Sequence, residues 1–443
     1  MVYAITEEGV TLRQPEGQTS PVAANASSKS RTERKEGRLT VTLGDSYFEE
    51  ERADGSVRYN FRSRRILLRD PRKANWTSYP LYSDLGFRLM EYQNRVMLGR
   101  ALAAGGIKET SIASMGDTFE LETLFCLRFP GDRSKPVDGL TRKVLADGTW
   151  SYVRNADEVA GFKASAYKVP EQLRATYEKW LIYRSRIHPQ IRREIVEAGA
   201  FPLLLRTHWH NTGETGVTTL LLKDSGTIEG SPHTPDPALE ALPFAEGDLL
   251  KALLSSRDPK VRAERGTLDA AVRLADEAVA RGRPLDGLLG LLEIQFQGGY
   301  DTAPALQQLH AQFSQDQECT RFIASLRQSS RTECEVGLKV LRGIDRKGLT
   351  KGYILDVHIG DQLSSLGQSK DAEAEFLSVL QLNPLLAGPW NDLGQLYYRR
   401  YDMPKAWLCW DAGRGVCPSH PMLQGVTKLE GRMQNDFPEY FMQ

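Results

Sequence analysis

His208 and His210 stand two residues apart in a segment of strand-like alternation, so both imidazoles project to one face together with Leu204 and Arg206. Two histidines so placed can begin a metal site, but a third ligand is needed, and His188 is the only other histidine before residue 225. The pair is a weak metal candidate, and a mixed strand face is the expectation. Gly44-Asp45-Ser46 follows an apolar strand, a place where a serine nucleophile can sit. Such a serine needs a base, and no Asp-x-x-His occurs downstream. No Gly-x-x-x-x-Gly-Lys phosphate cradle and no Cys-x-x-Cys is present. Cys126 lies in the apolar run Leu124-Phe125-Cys126-Leu127 and reads as core. The odd set of Cys126, Cys319, Cys334, Cys409 and Cys417 reads as buried thiols, although Cys319/Cys334 and Cys409/Cys417 could pair in an oxidising compartment. No catalytic residue and no cofactor is expected.

Lys+Arg and Asp+Glu both total 57 in the 443 residues, so no bulk charge draws the chain to nucleic acid or to an anionic membrane. The charge clusters locally. Arg58, Arg62, Arg64, Arg65 and Arg69, followed by Arg72 and Lys73, face Asp70 alone. This basic patch is a solvated outer face or a place for an anionic partner or lipid head group. No stretch reaches the ~18 apolar residues that cross a bilayer, and Met1-Val-Tyr-Ala-Ile-Thr-Glu-Glu has the look of neither a basic nor an apolar leader region. The chain is therefore expected to be cytoplasmic, or a mature form whose leader has been removed.

The elements that would position these residues divide the chain. Residues 1–37 contain a Ser-, Pro-, Gly- and charge-rich stretch and read as a flexible lead-in. Leu39/Val41/Leu43 and Val57/Tyr59/Phe61, the latter after an Asp54-Gly55 turn, then Ile66–Leu68 and 76–81, alternate as an antiparallel meander. Helices are expected over 85–102, from Asp117, from Pro170 with Leu173, Tyr177, Trp180 and Leu181 on one stripe, and over 189–199. A hairpin pairs 203–210 with 217–223. The β-rich domain thus spans 38–224, a Pro- and Gly-rich linker 225–243, and a helical domain 244–443. The fold class is multidomain α+β, an N-terminal antiparallel sheet with inserted helices followed by an all-α half.

Self-similarity is the strongest signal. Ile359-Gly360, Leu363, Gly367, Ala372, Phe376 and Pro384 recur thirty-four residues later as Leu393-Gly394, Tyr397, Tyr401, Ala406, Trp410 and Pro418. Small residues let paired helices approach, bulky ones fill the seam, and prolines end the second helix. These units, 353–386 and 387–420, resemble the tetratricopeptide repeat family, with a capping helix from Pro421. A degenerate unit over 283–316, and Ala270–Val279 as another second helix, would extend the array. The resemblance implies a groove for a protein partner, lined here by Val357, Asp361, Ser364 and Ser365, then Asn391, Gln395, Tyr398 and Arg399. Val357 and Asp361 depart from the Lys and Asn with which family members clamp a terminal carboxylate.

Tyr59-Asn60-Phe61-Arg62-Ser63-Arg64-Arg65-Ile66 and the meander around it resemble the LolA-like lipoprotein-carrier fold over 38–224. That likeness implies a curved half-barrel holding a lipid, a peptide or a partner segment. The expected function is a non-enzymatic adaptor of the bacterial envelope. A cytoplasmic repeat-containing regulator or assembly factor is the first alternative, and a hydrolytic or metal-dependent enzyme with its site in the β-half is the second.

Overall fold

A computed structural model of the chain describes residues 1–12, 30–106, 117–211, 214–227 and 237–442. The chain forms two compact units, one of Met1–Leu242 with Arg432–Gln443 and one of Pro243–Gly431. It has the multidomain α+β layout of a sheet with inserted helices and an all-helical region.

In the first unit the described residues build one antiparallel sheet. Strand β1 (Val2–Leu12) lies at its centre. On one side follow β2 (Ser30–Leu43), β3 (Tyr47–Arg52), β4 (Gly55–Asn60), β5 (Arg65–Arg69) and β6 (Thr77–Pro80), each antiparallel to the last. On the other side follow β11 (Glu214–Asp224), β10 (Ala200–Asn211), β9 (Asp157–Lys168), β8 (Trp150–Arg154) and β7 (Leu140–Val144). Beyond β6 the short strand β12 (Leu242–Pro243) closes the edge, with the Leu242 N–H donating to Trp76 O at 2.9 Å. Two meanders thus flank the N-terminal strand.

This corrects the lead-in expected over residues 1–37. Polar composition does not prevent a strand whose backbone groups are paired on both edges. Tyr3 faces Leu39 and Leu222, Ile5 faces Gly37 and Leu220, and both side chains are buried. The Ser- and Pro-rich stretch of 13–29 lies outside the described residues. Strand β7, nearly all exposed, has no apolar alternation to announce it.

One face of the sheet carries the core. Residues directly opposite in antiparallel register share a face, which places Tyr3, Ile5, Leu39, Val41, Phe48, Tyr59, Ile66, Phe162, Leu205, Leu220 and Leu222 together. Onto it pack helices α1 (Tyr82–Ala104), α2 (Thr118–Phe125), α3 (Arg174–Arg184) and α4 (Pro189–Glu197). The expected α3 stripe does the packing. Tyr177, Trp180 and Leu181 are buried, Trp180 stacks on Tyr3 at 5.9 Å, and Tyr183 meets Tyr59 at 4.6 Å. Asp117 caps α2 by accepting from the Phe119 N–H. In the C-terminal segment, Tyr440 Oη donates to Phe125 O at 3.0 Å, and Tyr183 Oη to Tyr440 O at 3.0 Å.

The second unit contains no strand of its own apart from the β12 edge residue. Its helical hairpins are Leu268–Ala280 with Pro284–Gln297, Gln317–Ser325 with Arg331–Arg342, Ile354–Ser365 with Ser369–Leu382, and Ala387–Arg399 with Met403–Val416. Helix Pro284–Gln297 therefore pairs with the helix before it, where the sequence suggested a unit with 303–316. Gly287 explains the choice, since a Cβ there would meet the Ala275 backbone at 3.0 Å. The same device recurs in the 34-residue units: a Cβ at Gly360 would lie 2.7 Å from Phe376, and one at Gly394 2.3 Å from Trp410. Helix Gln424–Asp436 follows the last hairpin, and its Glu430 accepts from Trp407 Nε1 at 2.9 Å and Arg414 Nη1 at 2.6 Å. The capping role expected for everything after Pro421 is corrected from Arg432 on, where the chain belongs to the sheet unit.

Candidate functional site

A cavity of about 690 Å³ opens on the core face of the sheet. Strand residues Ile5, Leu39, Tyr59, Leu205 and Leu220 supply apolar surface. Helix α1 contributes Asp84, Phe87, Arg88, Glu91 and Arg95, spaced three and four apart on one stripe. Helix α3 and the turn after it add Trp180, Tyr183, Arg184, Ser185 and Arg186.

Its charges pair one by one. Arg52 reaches Glu7 at 3.3 Å, Arg88 reaches Asp84 at 2.5 Å, Arg95 reaches Glu91 at 3.4 Å, and Arg184 reaches Glu50 at 2.8 Å. Glu50 also accepts from Trp180 Nε1 at 2.8 Å, which satisfies a carboxylate only 3% exposed. Arg88 further donates to the carbonyls of Phe125, Ile182 and Tyr183. Burial, the largest single influence, disfavours its charge, yet Asp84 together with Tyr440, Cys126 and Tyr59 outweighs it and holds the guanidinium well above its ordinary range.

Every lining carboxylate is thereby engaged, and Arg186 is left over. Among the described residues it makes no ion pair or hydrogen bond, and its guanidinium lies over the Trp209 ring at 5.0 Å. Desolvation, the largest influence on it, pulls its pKa below the ordinary value. Arg186 adopts φ +45°, a left-handed conformation that costs a non-glycine residue about 1 kcal/mol or more and that turns the chain just after α3. Trp209 in turn lies over Gly216, its partner in register, where a Cβ would come within 2.3 Å of the indole.

The sequence candidates fall elsewhere. The basic run does not form one open patch, because local structure uses most of it. Arg58 binds Glu49 at 2.6 Å and lies over the Tyr47 and Trp76 rings, Arg69 also lies over Trp76, Arg64 donates to Tyr82 Oη, and Arg65 to Ser78 Oγ. Arg62 is exposed in the turn after β4. None of the five lines the cavity. His208 lies with Arg206 on the other face of β10, 3.6 Å from the Glu158 carboxylate that Arg206 binds at 2.7 Å. The His210 side chain lies outside the described residues. His188 is elsewhere, capping α4 through Nδ1 and holding Glu122 through Nε2 at 2.7 Å. Among the described residues no three His, Cys, Asp or Glu side chains converge as metal ligands, and all five cysteines are buried free thiols.

In the helical unit the anticipated groove is partly filled by the chain itself. Helix Pro284–Gln297 packs against the first helices Ile354–Ser365 and Ala387–Arg399. Glu293 receives Tyr353 Oη, Asn383 Nδ2 at 2.8 Å and Lys351 Nζ at 2.7 Å, and Phe296 meets His358 at 5.6 Å. Val357 is wholly buried and Asn391 is 6% exposed, so both are packing residues before they are groove residues. Tyr398, expected in the groove lining, sits against Trp410 at 5.5 Å and Trp407 at 6.0 Å and so packs within its own hairpin. Asp361, Ser364 and Gln395 are half-buried, and Ser365 and Arg399 are exposed.

The fold and this cavity define a two-unit α+β protein with a charge-lined cavity on its sheet and a stack of helical hairpins. Neither a protein-family model nor a curated protein matches the chain.

Proposed function

We propose that this is a non-enzymatic binding protein whose sheet unit takes a small amphiphile bearing one anionic group, a carboxylate or phosphate monoester, with that group at Arg186. The observation that carries this reading is the charge inventory of the cavity. Arg52, Arg88, Arg95 and Arg184 are matched by Glu7, Asp84, Glu91 and Glu50, and Arg186 has an aromatic face beneath it and only the field of Glu7, with no described carboxylate in ion-pair contact. An arginine fork matches a carboxylate or phosphate in two parallel hydrogen bonds. A volume of about 690 Å³ falls in the range of roughly 300–1,000 Å³ typical of small-molecule sites. Phe87, Trp209 and the strand aliphatics would hold the apolar body. Support for a binding role over a catalytic one comes from the lining itself, which has no histidine and whose carboxylates are all held by arginines. The helical unit, by its resemblance to tetratricopeptide arrays, serves in this reading as a protein-docking module. The envelope setting rests on the lipoprotein-carrier resemblance alone.

The test is tryptophan fluorescence of the full chain titrated with decanoate and, separately, with decanol. Saturable quenching by decanoate, weakened tenfold or more in Arg186→Gln while decanol is unaffected, is expected. Equal binding of acid and alcohol, or an indifferent Arg186→Gln, overturns the reading.

A further inference from the structure

The inner face of the helical unit holds two carboxyl groups that no lysine or arginine pairs among the described residues. Asp361 comes from helix Ile354–Ser365 and Asp392 from helix Ala387–Arg399. In the 34-residue register Asp392 is equivalent to His358, one turn from Asp361, and the two first helices touch, so the Asp392 charge acts on Asp361. No arginine or lysine lies within ion-pair distance of either among the described residues. His358 Nδ1 is 3.8 Å from Asp361 Oδ2, but burial between Phe296 and Phe322 holds that imidazole down at about 4, neutral at physiological pH. Arg399 acts on Asp392 only through its field, from an exposed position two turns along the same helix. Burial, then repulsion from Asp392, drives the Asp361 carboxyl well above the ordinary range, and burial raises Asp392 as well.

A second observation points to a missing partner. Asn391, 6% exposed, donates Nδ2 to Asp392 Oδ1 at 3.2 Å and leaves its own Oδ1 buried without a donor. The cluster is therefore a set of acceptors, two carboxyls and an amide oxygen, lacking donors. It is reachable, because the Asp361 side chain keeps 28% of its surface exposed. Structural self-sufficiency would have placed a lysine or arginine here, as it does at Glu293 and Glu430 in the same unit.

We propose that the inner face of the helical unit recognises a cationic side chain, a lysine or arginine of a partner peptide, seated between Asp361 and Asp392. An ammonium or guanidinium supplies the cationic donor that both carboxyls lack and a donor for Asn391 Oδ1, and its charge ends the repulsion within the pair. This inference rests on the docking role proposed for the helical unit and is independent of the cavity in the sheet.

The experiment is fluorescence anisotropy of the full chain at moderate salt. The probe is a fluorescein-labelled, N-acetylated, C-amidated octapeptide of alanine and serine with one central lysine, set beside the same peptide with norleucine or glutamate at that position. Expected is saturable binding of the lysine peptide, at least tenfold tighter than either control. Asp361→Asn with Asp392→Asn should abolish that preference while the thermal melt shows the unit still folded, and Asp371→Asn, an exposed charge elsewhere on the unit, should leave it intact. Equal binding of lysine and norleucine peptides keeps docking but overturns cation recognition. Binding of none overturns both. An equal loss in Asp371→Asn marks the attraction as diffuse surface charge and also overturns the proposal.

Discussion

Gly394→Ala ought to destabilise the helical unit even though alanine is the better helix former. Alanine in a helix interior is favoured over glycine by about 0.8–1 kcal/mol. Against that, the new Cβ would stand 2.3 Å from Trp410 Nε1 and 2.5 Å from its Cδ1, whereas well-packed atoms sit about 3.5–4.0 Å apart. The indole must retreat by more than about 1 Å on that scale, and it cannot do so freely. It is 1% exposed and wedged between Tyr398 and Trp407. Overpacking of this kind costs about 1–3 kcal/mol, which leaves a net loss of about 1 kcal/mol after the helical gain. Gly290→Ala is the matched control, because nothing lies within 4 Å of a Cβ there, in the helical interior of Pro284–Gln297. It should stabilise by up to about 1 kcal/mol. Urea titration of the full chain, followed by tryptophan fluorescence and far-ultraviolet circular dichroism, would therefore separate the two variants by about 2 kcal/mol. If Gly394→Ala proves as stable as Gly290→Ala, the close approach of the hairpin helices at Gly394 is wrong.

Glu50→Gln should lower the stability of the sheet unit by about 2–4 kcal/mol, somewhat below the cost of breaking a fully buried pair because Arg184 keeps 29% of its side chain exposed; chemical denaturation measures it, and a loss under about 1 kcal/mol would contradict the pairing. Gly216→Ala should dislodge Trp209 and so weaken decanoate binding, read by the same fluorescence titration, and should also lower the melting temperature because the new Cβ would stand 2.7 Å from the Glu8 backbone oxygen; unchanged affinity would show that Trp209 does not shape the site. For Asp361 the raised pKa sets the sign of the pH effect. The folded state keeps a proton that the unfolded chain releases, so that contribution is intact at low pH and lost as pH rises from the ordinary carboxylate range through the raised value. Asp361→Asn cannot lose the proton, and should therefore melt higher than the parent protein at pH 8 and alike at pH 4. Identical melting at pH 8 would mean that Asp361 is not desolvated.

Features set by neighbours in the chain were legible in the amino-acid order. The Gly360/Phe376 and Gly394/Trp410 spacing announces two helical hairpins, because a helix pair joined by a short turn brings residues sixteen apart face to face. The Tyr177/Trp180/Leu181 stripe and the Asp117 cap were readable for the same reason, since one turn of helix decides them. Strand β1 was not, because its stability is a ladder to β11, more than two hundred residues away, and the Ser-, Pro- and Gly-rich stretch that follows it dominates the composition of residues 1–37. The site was less legible still. The cavity assembles Glu7, Glu50, Asp84 and Glu91 with arginines from 52 to 186, and only their pairing in space shows which cation is left over. Counted along the chain, Arg186 is one of 57 basic residues matched by 57 acidic ones. Likewise the 34-residue repeat predicts an open inner face, and tertiary structure alone laid helix Pro284–Gln297 across part of it and left Asp361 beside Asp392 without a cation. Periodicity determines which faces are apolar; long-range packing, whose loop-closure entropy no local pattern encodes, decides what those faces meet.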